Sequence, residues 1–178
     1  MVTSINFDSD EQWKEFREKI PLFDDKLLQS NRLLDQISTA KDISDYLWYT
    51  FRFQHRASDT NPTLQVSSSA HVLHAFVNGE YVGSAHGSRK NPSYTLESTI
   101  LLNDGANSIS LLSVMVGLPD GGAHLERKTA GLQRVTVQTD QESRDFTNYQ
   151  WSYQVRLCRR FQKKKQFPES SRWFCSKI

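Results

Sequence analysis

Two carboxylates in this sequence share a loop-like segment in which they could do chemistry. Asp120 and Glu126 both fall in residues 119–131, which have loop composition and length. A carboxylate pair that cleaves a glycosidic bond is held about 5 to 9 Å apart, normally at the floor of a cleft. A loop that exposes both groups to water gives no reason for one pKa to rise while the other stays low. We therefore interpret them as solvated loop acids and predict no catalytic residue in this chain.

Histidine and glycine patterns do not predict a metal or cofactor site either. His71 and His74 lie three residues apart in a strand-like run, and on a strand such residues point to opposite faces. Residues 83–87 (GSAHG) place a hydroxyl near an imidazole but lack the nucleophile elbow. Neither a phosphate-binding nor a dinucleotide-binding glycine motif occurs. We predict no metal and no cofactor.

The elements that would position any site begin at Ser44, where the sequence becomes dense in aromatic and β-branched residues. Alternation along residues 45–53 predicts two faces of one strand. One face carries the expected core residues Leu47, Tyr49, Phe51 and Phe53. The opposite face carries Tyr46, Trp48, Thr50 and Arg52. On that face Trp48 either packs under another segment or meets a group outside the domain.

Further short strands follow, separated by turn signals. Asn78-Gly79 joins two apolar runs and predicts a hairpin, because both central residues of a type I′ turn need positive φ. A turn is predicted over residues 103–107, and the apolar run 109–118 predicts a strand covered on both faces. Other expected strands are 63–67, 71–77, 81–85, 94–102, 134–138 and 151–157. This pattern predicts an all-β antiparallel sandwich of jelly-roll type with a short, partly helical N-terminal segment.

Length and charge set the domain plan. The 178 residues suffice for one domain with flanking segments: an adapter over 1–40, the sandwich over 41–157 and a basic, disordered tail over 158–178. Residues 156–178 hold eight basic and one acidic residue, whereas the 155 residues before them hold 14 basic and 19 acidic residues. The acidic body excludes a basic nucleic-acid-binding domain, and no recognised nucleic-acid fold accompanies the basic tail. No membrane-spanning run and no signal peptide are recognised, and Cys158 and Cys175 lack metal-ligand spacing.

Three sequence blocks resemble the plant β-galactosidases of glycoside hydrolase family 35. They are residues 44–50 (SDYLWYT), 71–79 (HVLHAFVNG) and 109–119 (ISLLSVMVGLP), in the same order. The resemblance runs from about residue 20 to 153 and then stops, because residues 156–160 (RLCRR) leave the family pattern. It implies a galactose-binding-like jelly roll that follows a catalytic barrel in the family. No part of the chain matches that barrel, so its catalytic glutamates are not carried over.

The resemblance also implies a ligand and a partner. A galactoside or cell-wall carbohydrate is the expected ligand, and a catalytic barrel is the expected packing partner. Tyr46 and Trp48 would stack on sugar C–H groups or on the barrel. Arg52, His124 and Glu126 would bind hydroxyl groups when the long loop closes over a site. The family is generally secreted to the cell wall or vacuole.

Three functions stay open at this stage. The leading hypothesis is a non-catalytic scaffold or weak galactoside-binding module. The second is a relative of a hydrolase that cannot hydrolyse alone, because its barrel lies outside this chain. The third is binding of nucleic acid or an anionic surface through the basic tail, which would weaken steeply with salt.

Overall fold

The computed structural model describes one antiparallel β-sandwich and its immediate connections. Contacts divide the chain into two compact units, and the described residues from Ile20 onward belong to the unit Ile20–Leu157. The described residues are 19–23, 27–41, 43–56, 62–117, 128–139 and 142–155. Their elements are β1 (Leu28–Ser30), α1 (Gln36–Ala40), β2 (Tyr46–His55), β3 (Thr63–Ser68), β4 (Val72–Val77), β5 (Glu80–His86), β6 (Tyr94–Thr99), β7 (Gly105–Val114), β8 (Leu132–Gln138), β9 (Ser143–Asp145) and β10 (Trp151–Val155).

The strands form two sheets whose inner faces make the core. One sheet has six strands in the order β1-β10-β2-β7-β4-β5, and the other has four in the order β6-β3-β8-β9. Every strand pair is antiparallel. From β2 onward, all connections except β4–β5 and β8–β9 pass from one sheet to the other. The predicted all-β sandwich is confirmed.

Strand β2 forms because its residues alternate between the core and the outside. Leu47, Tyr49, Phe51 and Phe53 are at most 2% exposed and belong to the main core between the sheets. The Phe51 and Trp151 rings pack at a tilt of 57°, with their centroids 4.5 Å apart. Burying aromatic rings of this size is the main source of stability in such a core. The predicted core face of this strand is confirmed.

Strand β7 begins earlier than the sequence indicated. The turn predicted over residues 103–107 was wrong in its second half, because Gly105 already pairs with His55 and Asn107 with Phe53. The Asn107 side chain explains this register. Its amide donates to the backbone carbonyls of Asn103 (2.8 Å) and Gly105 (3.1 Å), so the tight turn and the strand share these residues. Residues 109–115 are buried, as expected for a strand covered on both faces.

The hairpin between β4 and β5 turns at Asn78-Gly79. Both residues have positive φ, 52° and 87°, as a type I′ turn requires. The Asn78 side chain accepts a hydrogen bond from the Ser108 backbone N–H (2.9 Å) and donates one to the Asn107 side chain (2.9 Å). The predicted hairpin is therefore present, and the neighbouring strand β7 fixes its turn.

Part of the segment assigned to an N-terminal adapter contributes to the sheet. Strand β1 pairs with β10, and α1 lies directly before β2. The division at residues 40 and 157 stays a prediction, and residues 158–178 lie outside the described part of the chain. Within the described residues, no helix is long and apolar enough to cross a membrane.

Candidate functional site

Three of the five predicted site residues lie on one outward face of the six-stranded sheet. Tyr46, Trp48 and Arg52 alternate along β2 with the core residues. Tyr46 is half-buried, Trp48 is 4% exposed and Arg52 is exposed. Six residues of strand separate Tyr46 from Arg52, a distance of about 20 Å. The three side chains share a face but do not converge on one sugar-sized point.

Trp48 belongs to a second apolar cluster, which lies on the outside of the six-stranded sheet. It packs with Phe76, Leu112 and Val114, and its ring centroid is 5.5 Å from that of Phe76. Ile20 packs against the same cluster, and the Ser110 hydroxyl donates to the Pro21 carbonyl (2.6 Å). Because this segment helps to cover the cluster, Trp48 cannot stack on a ligand without displacing a neighbour.

His124 and Glu126, the other two predicted site residues, lie outside the described residues, as does Asp120. Their positions relative to β2 therefore stay a prediction. The structure does describe both ends of the segment 118–127, and both are hydrogen-bonded to the sandwich.

The first end of this segment leaves β7 along the residues that precede β2. The Met115 backbone N–H donates to the Asp45 carbonyl (2.8 Å), and the Gly117 N–H donates to the Asp45 carboxylate (3.3 Å). Between them, the Val116 N–H donates to His71 Nδ1 (3.0 Å). Asp45 and His71 thus hold three consecutive backbone groups at the exit of β7.

The second end returns along the start of α1. Asp35 caps α1, since one carboxylate oxygen accepts from the Ser38 N–H (2.7 Å) and the other from the Ala130 N–H (2.8 Å). The Gln36 N–H donates to the Ala130 carbonyl (2.8 Å). The start of α1 is therefore bonded to Ala130, just after the segment 118–127.

The Gln36 side chain connects α1 to Asp45, which directly precedes β2, and to Ser113 in β7. It is 2% exposed, and its amide donates to the Asp45 carbonyl (3.1 Å) and the Ser113 carbonyl (3.2 Å). Its carbonyl oxygen accepts from the Ser113 hydroxyl (2.7 Å). Both ends of the segment 118–127 are therefore connected to Gln36, the first through Asp45 and its side-chain amide and the second through its backbone N–H.

Gly131 allows the chain to enter β8 beside this network. Its φ is +107°, and a Cβ there would collide with the Tyr49 hydroxyl and lie 3.2 Å from Gln36 Cβ. The Tyr49 hydroxyl donates to the Leu34 carbonyl (2.9 Å). Burial raises the pKa of Tyr49 well above 10.0, and burial likewise raises the pKa of Tyr153. Both phenols are neutral hydrogen-bonding groups, and their hydroxyls bond to the backbone of Arg32 and Leu34.

A shallow pocket lies where α1 meets the exit of β7. Its volume is about 20 Å³, and Gln36, Ile37, Asp45, Met115 and Gly117 are among its lining residues. That volume holds about one water molecule. Ligand pockets for small molecules typically measure about 300 to 1,000 Å³. Among the described residues, no group of three or more His, Cys, Asp and Glu side chains is placed to hold a metal ion.

One part of this framework has a local sequence signal. Asp35 directly precedes a short helical run, a position at which aspartate is a preferred N-cap. No local pattern identifies Gln36, because its partner Ser113 lies 77 residues away. The role of this glutamine depends on tertiary structure alone.

Two packed antiparallel sheets define the class of this protein as a β-sandwich domain. A family model described as the galactose-binding domain of β-galactosidase matches residues 46–107. Beta-galactosidase 7 of Oryza sativa subsp. japonica is 48% identical over 150 residues, which cover 82% of this chain and 19% of that protein. Beta-galactosidase 10 of Arabidopsis thaliana is 34% identical over 151 residues, which cover 81% of this chain and 20% of that protein.

The chain therefore belongs to the plant β-galactosidase family and is a carbohydrate-binding or scaffold module related to its galactose-binding domain. It spans about a fifth of the length of the curated relatives it matches. Among solved structures, an α-L-rhamnosidase from Aspergillus terreus aligns with a TM-score of 0.44 and 17% identity, covering 68% of this chain and 15% of that chain. A similarity at that TM-score carries no argument about function.

Proposed function

We propose that this chain is a non-catalytic scaffold module that packs against the catalytic barrel of a β-galactosidase. The observation that carries the proposal is the apolar outer face of the six-stranded sheet, where the exposed Tyr81 ring packs on Phe76 of the cluster that buries Trp48. The outer face of an antiparallel sheet usually presents polar residues to water. An exposed aromatic residue next to an apolar cluster on such a face is typical of a surface that packs against another part of a protein.

The proposed docking face is the outer surface of the six-stranded sheet. Trp48, Phe76 and Leu112 are each at most 4% exposed, so they form the packed base of this face rather than its contact surface. Arg52 lies further along β2 on the same face and is exposed. A charged residue at the rim of an apolar contact affects association through electrostatic complementarity. Arg52 is therefore the side chain through which docking can be tested without disturbing the cluster.

The test is association between this chain and a folded fragment of rice Beta-galactosidase 7 that lacks the matched 150 residues. Circular dichroism first establishes that the fragment is folded. We expect the fragment to be retained on the immobilised chain, and Arg52→Glu to weaken retention. The matched control is Glu97→Arg, which reverses an exposed charge on the outer face of the other sheet.

Two results would contradict the scaffold proposal. If the folded fragment is not retained on the immobilised chain, the proposed partner is excluded. If Arg52→Glu leaves retention unchanged and Glu97→Arg abolishes it, the fragment binds the four-stranded sheet and not the proposed face. The absence of catalysis in this proposal rests on the sequence alone, since Asp120 and Glu126 share a loop-like segment.

Weak galactoside binding is the second candidate function. The family model that matches residues 46–107 is described as a galactose-binding domain, which favours it. The predicted residues Tyr46, Arg52, His124 and Glu126 remain candidates for this binding, and Trp48 could take part only if a neighbour in its cluster were displaced. A titration with galactose or a β-galactoside at millimolar sugar, followed by backbone amide resonances, tests it directly.

A further inference from the structure

A β-bulge in the hairpin β4–β5 brings Tyr81 and Ser84 onto the same outer face of the sandwich. His74 pairs with Ser84 and Ala75 with Gly83, but Phe76 pairs with Tyr81 rather than with Val82. The two-residue turn pairs Val77 with Glu80 and therefore places Tyr81 opposite Phe76 on the outer face. Without the inserted residue, Ser84 would lie opposite Leu73, whose side chain belongs to the core; with it, Ser84 lies opposite His74 on the outer face. Bulges that re-aim a side chain in this way are common beside functional sites.

The Tyr81 ring is exposed and yet held in place. Tyr81 is 56% exposed, and its ring meets the buried Phe76 ring edge-on, with centroids 5.6 Å apart. The Phe76 ring in turn packs on Trp48. An aromatic face that is fixed from below and open above loses little conformational entropy when a ligand stacks on it.

A second ring stands beside Tyr81 and forms a corner with it. The His74 imidazole is half-buried, with its centroid 6.4 Å from that of Tyr81 and its plane tilted by 49°. Its Nδ1 is buried and finds no hydrogen-bond partner among the described residues. The exposed Ser84 lies opposite His74 and contributes a hydroxyl to the same face. We call Tyr81, His74, Ser84 and Phe76 the Tyr81 corner.

The corner carries no formal charge at neutral pH. Between Val72 and His86, Glu80 is the one Asp, Glu, Lys or Arg. Burial lowers the pKa of His74, so its imidazole is neutral near pH 7. An aromatic face with a hydroxyl beside it and no charge suits a neutral, hydroxyl-rich ring better than an anion or a basic peptide.

We propose that the Tyr81 corner is a carbohydrate-binding site, in which the C–H face of a neutral galactoside stacks on Tyr81 and its hydroxyl groups bond to Ser84 and the Tyr81 hydroxyl. The proposal rests on the galactoside-binding candidate above, as an alternative to barrel docking on the same outer face, and gives that candidate a location. The whole corner lies inside residues 46–107, the range matched by the galactose-binding model. His124 and Glu126 fall outside that range.

The test is a titration of the full chain with methyl β-galactoside, in which backbone amide shifts are followed at millimolar sugar. We expect localised shifts over residues 74–84 and a Tyr81→Ala variant that binds at least about tenfold more weakly, while Tyr81→Phe keeps most of the affinity. Tyr149→Ala is the matched control, because Tyr149 is also an exposed aromatic residue, at 37%. The dispersion of each spectrum shows that the variant is folded.

The possible results separate this inference from the broader function. Saturable shifts elsewhere, unaffected by Tyr81→Ala, would overturn the Tyr81 corner and leave galactoside binding in place. No shift anywhere in the folded chain would overturn both. Equal loss of affinity in Tyr81→Ala and Tyr149→Ala would show a general effect of losing aromatic surface, and would also overturn the proposed site.

Discussion

Replacing Gln36 with leucine tests the buried network at the loop end of the sandwich. Leucine keeps about the same volume but removes three hydrogen bonds, two to the Asp45 and Ser113 carbonyls and one from the Ser113 hydroxyl. The hydroxyl is left without this acceptor in a residue that is 0% exposed, which costs about 1 to 3 kcal/mol. The two carbonyl bonds contribute about 0.5 to 1.5 kcal/mol each. The Asp45 carbonyl keeps its bond from Met115, so its loss lies at the lower end.

The expected total is a loss of about 3 kcal/mol in the free energy of unfolding. For a domain of this size the melting temperature should fall by about 6 to 12 °C. Urea denaturation and thermal melts measure both quantities. Gln133→Leu is the matched control, because Gln133 is an exposed glutamine on β8; it should change stability by less than about 0.5 kcal/mol.

A double-mutant cycle with Ser113→Ala isolates the contribution of the side-chain pair. Removing the hydroxyl in the Gln36→Leu background should recover about 1 kcal/mol, because the unsatisfied group is gone. Our reasoning would be refuted if Gln36→Leu were as stable as Gln133→Leu, or if the two network substitutions were simply additive.

Three further predictions concern the same end of the domain. Gly131→Ala should destabilise the fold by about 2 to 4 kcal/mol in urea melts, because its φ is +107° and the new Cβ meets the Tyr49 hydroxyl; a neutral effect would exclude this crowding. The pKa values of Tyr49 and Tyr153 in the folded state are raised above 10.0, so the folded state keeps these two protons at a pH at which the unfolded state loses them. The free energy of unfolding should therefore be unchanged near pH 7 and fall as pH rises above about 10. In Tyr153→Phe this fall should be less steep. Asp35→Ala should cost about 1 to 2 kcal/mol in thermal melts, since it removes the cap on Ser38 and a second backbone bond, and an unchanged melting temperature would contradict that role.

The sequence predicted those parts of the fold that depend on local periodicity. Alternation along β2 identified Leu47, Tyr49, Phe51 and Phe53 as core residues, because side chains on a strand alternate with a period of two. Asn78-Gly79 identified its hairpin because few other residue pairs adopt positive φ twice in succession. These signals lie within a few residues of the structure they specify.

Features that depend on distant partners were not predictable in this way. Strands β1 and β9 have three residues each, too few to show alternation. They form because β1 pairs with β10 and β9 pairs with β8. The bulge that brings Ser84 onto the face of Tyr81 appears only in the pairing register with β4.

Alternation also placed Trp48 on the outer face, with packing or an external contact left open. The structure shows packing, with Ile20 and Phe76 against the same cluster. The sequence could not identify those neighbours, since they come from distant parts of the chain.

Hydrolysis of a chromogenic β-galactoside by the purified chain tests the central claim, that this module has no catalysis of its own. We predict no turnover above the buffer rate, and the same background for Glu126→Ala and Asp120→Ala. Saturable turnover that disappears in either variant would contradict the claim and make the segment 118–127 part of an active site.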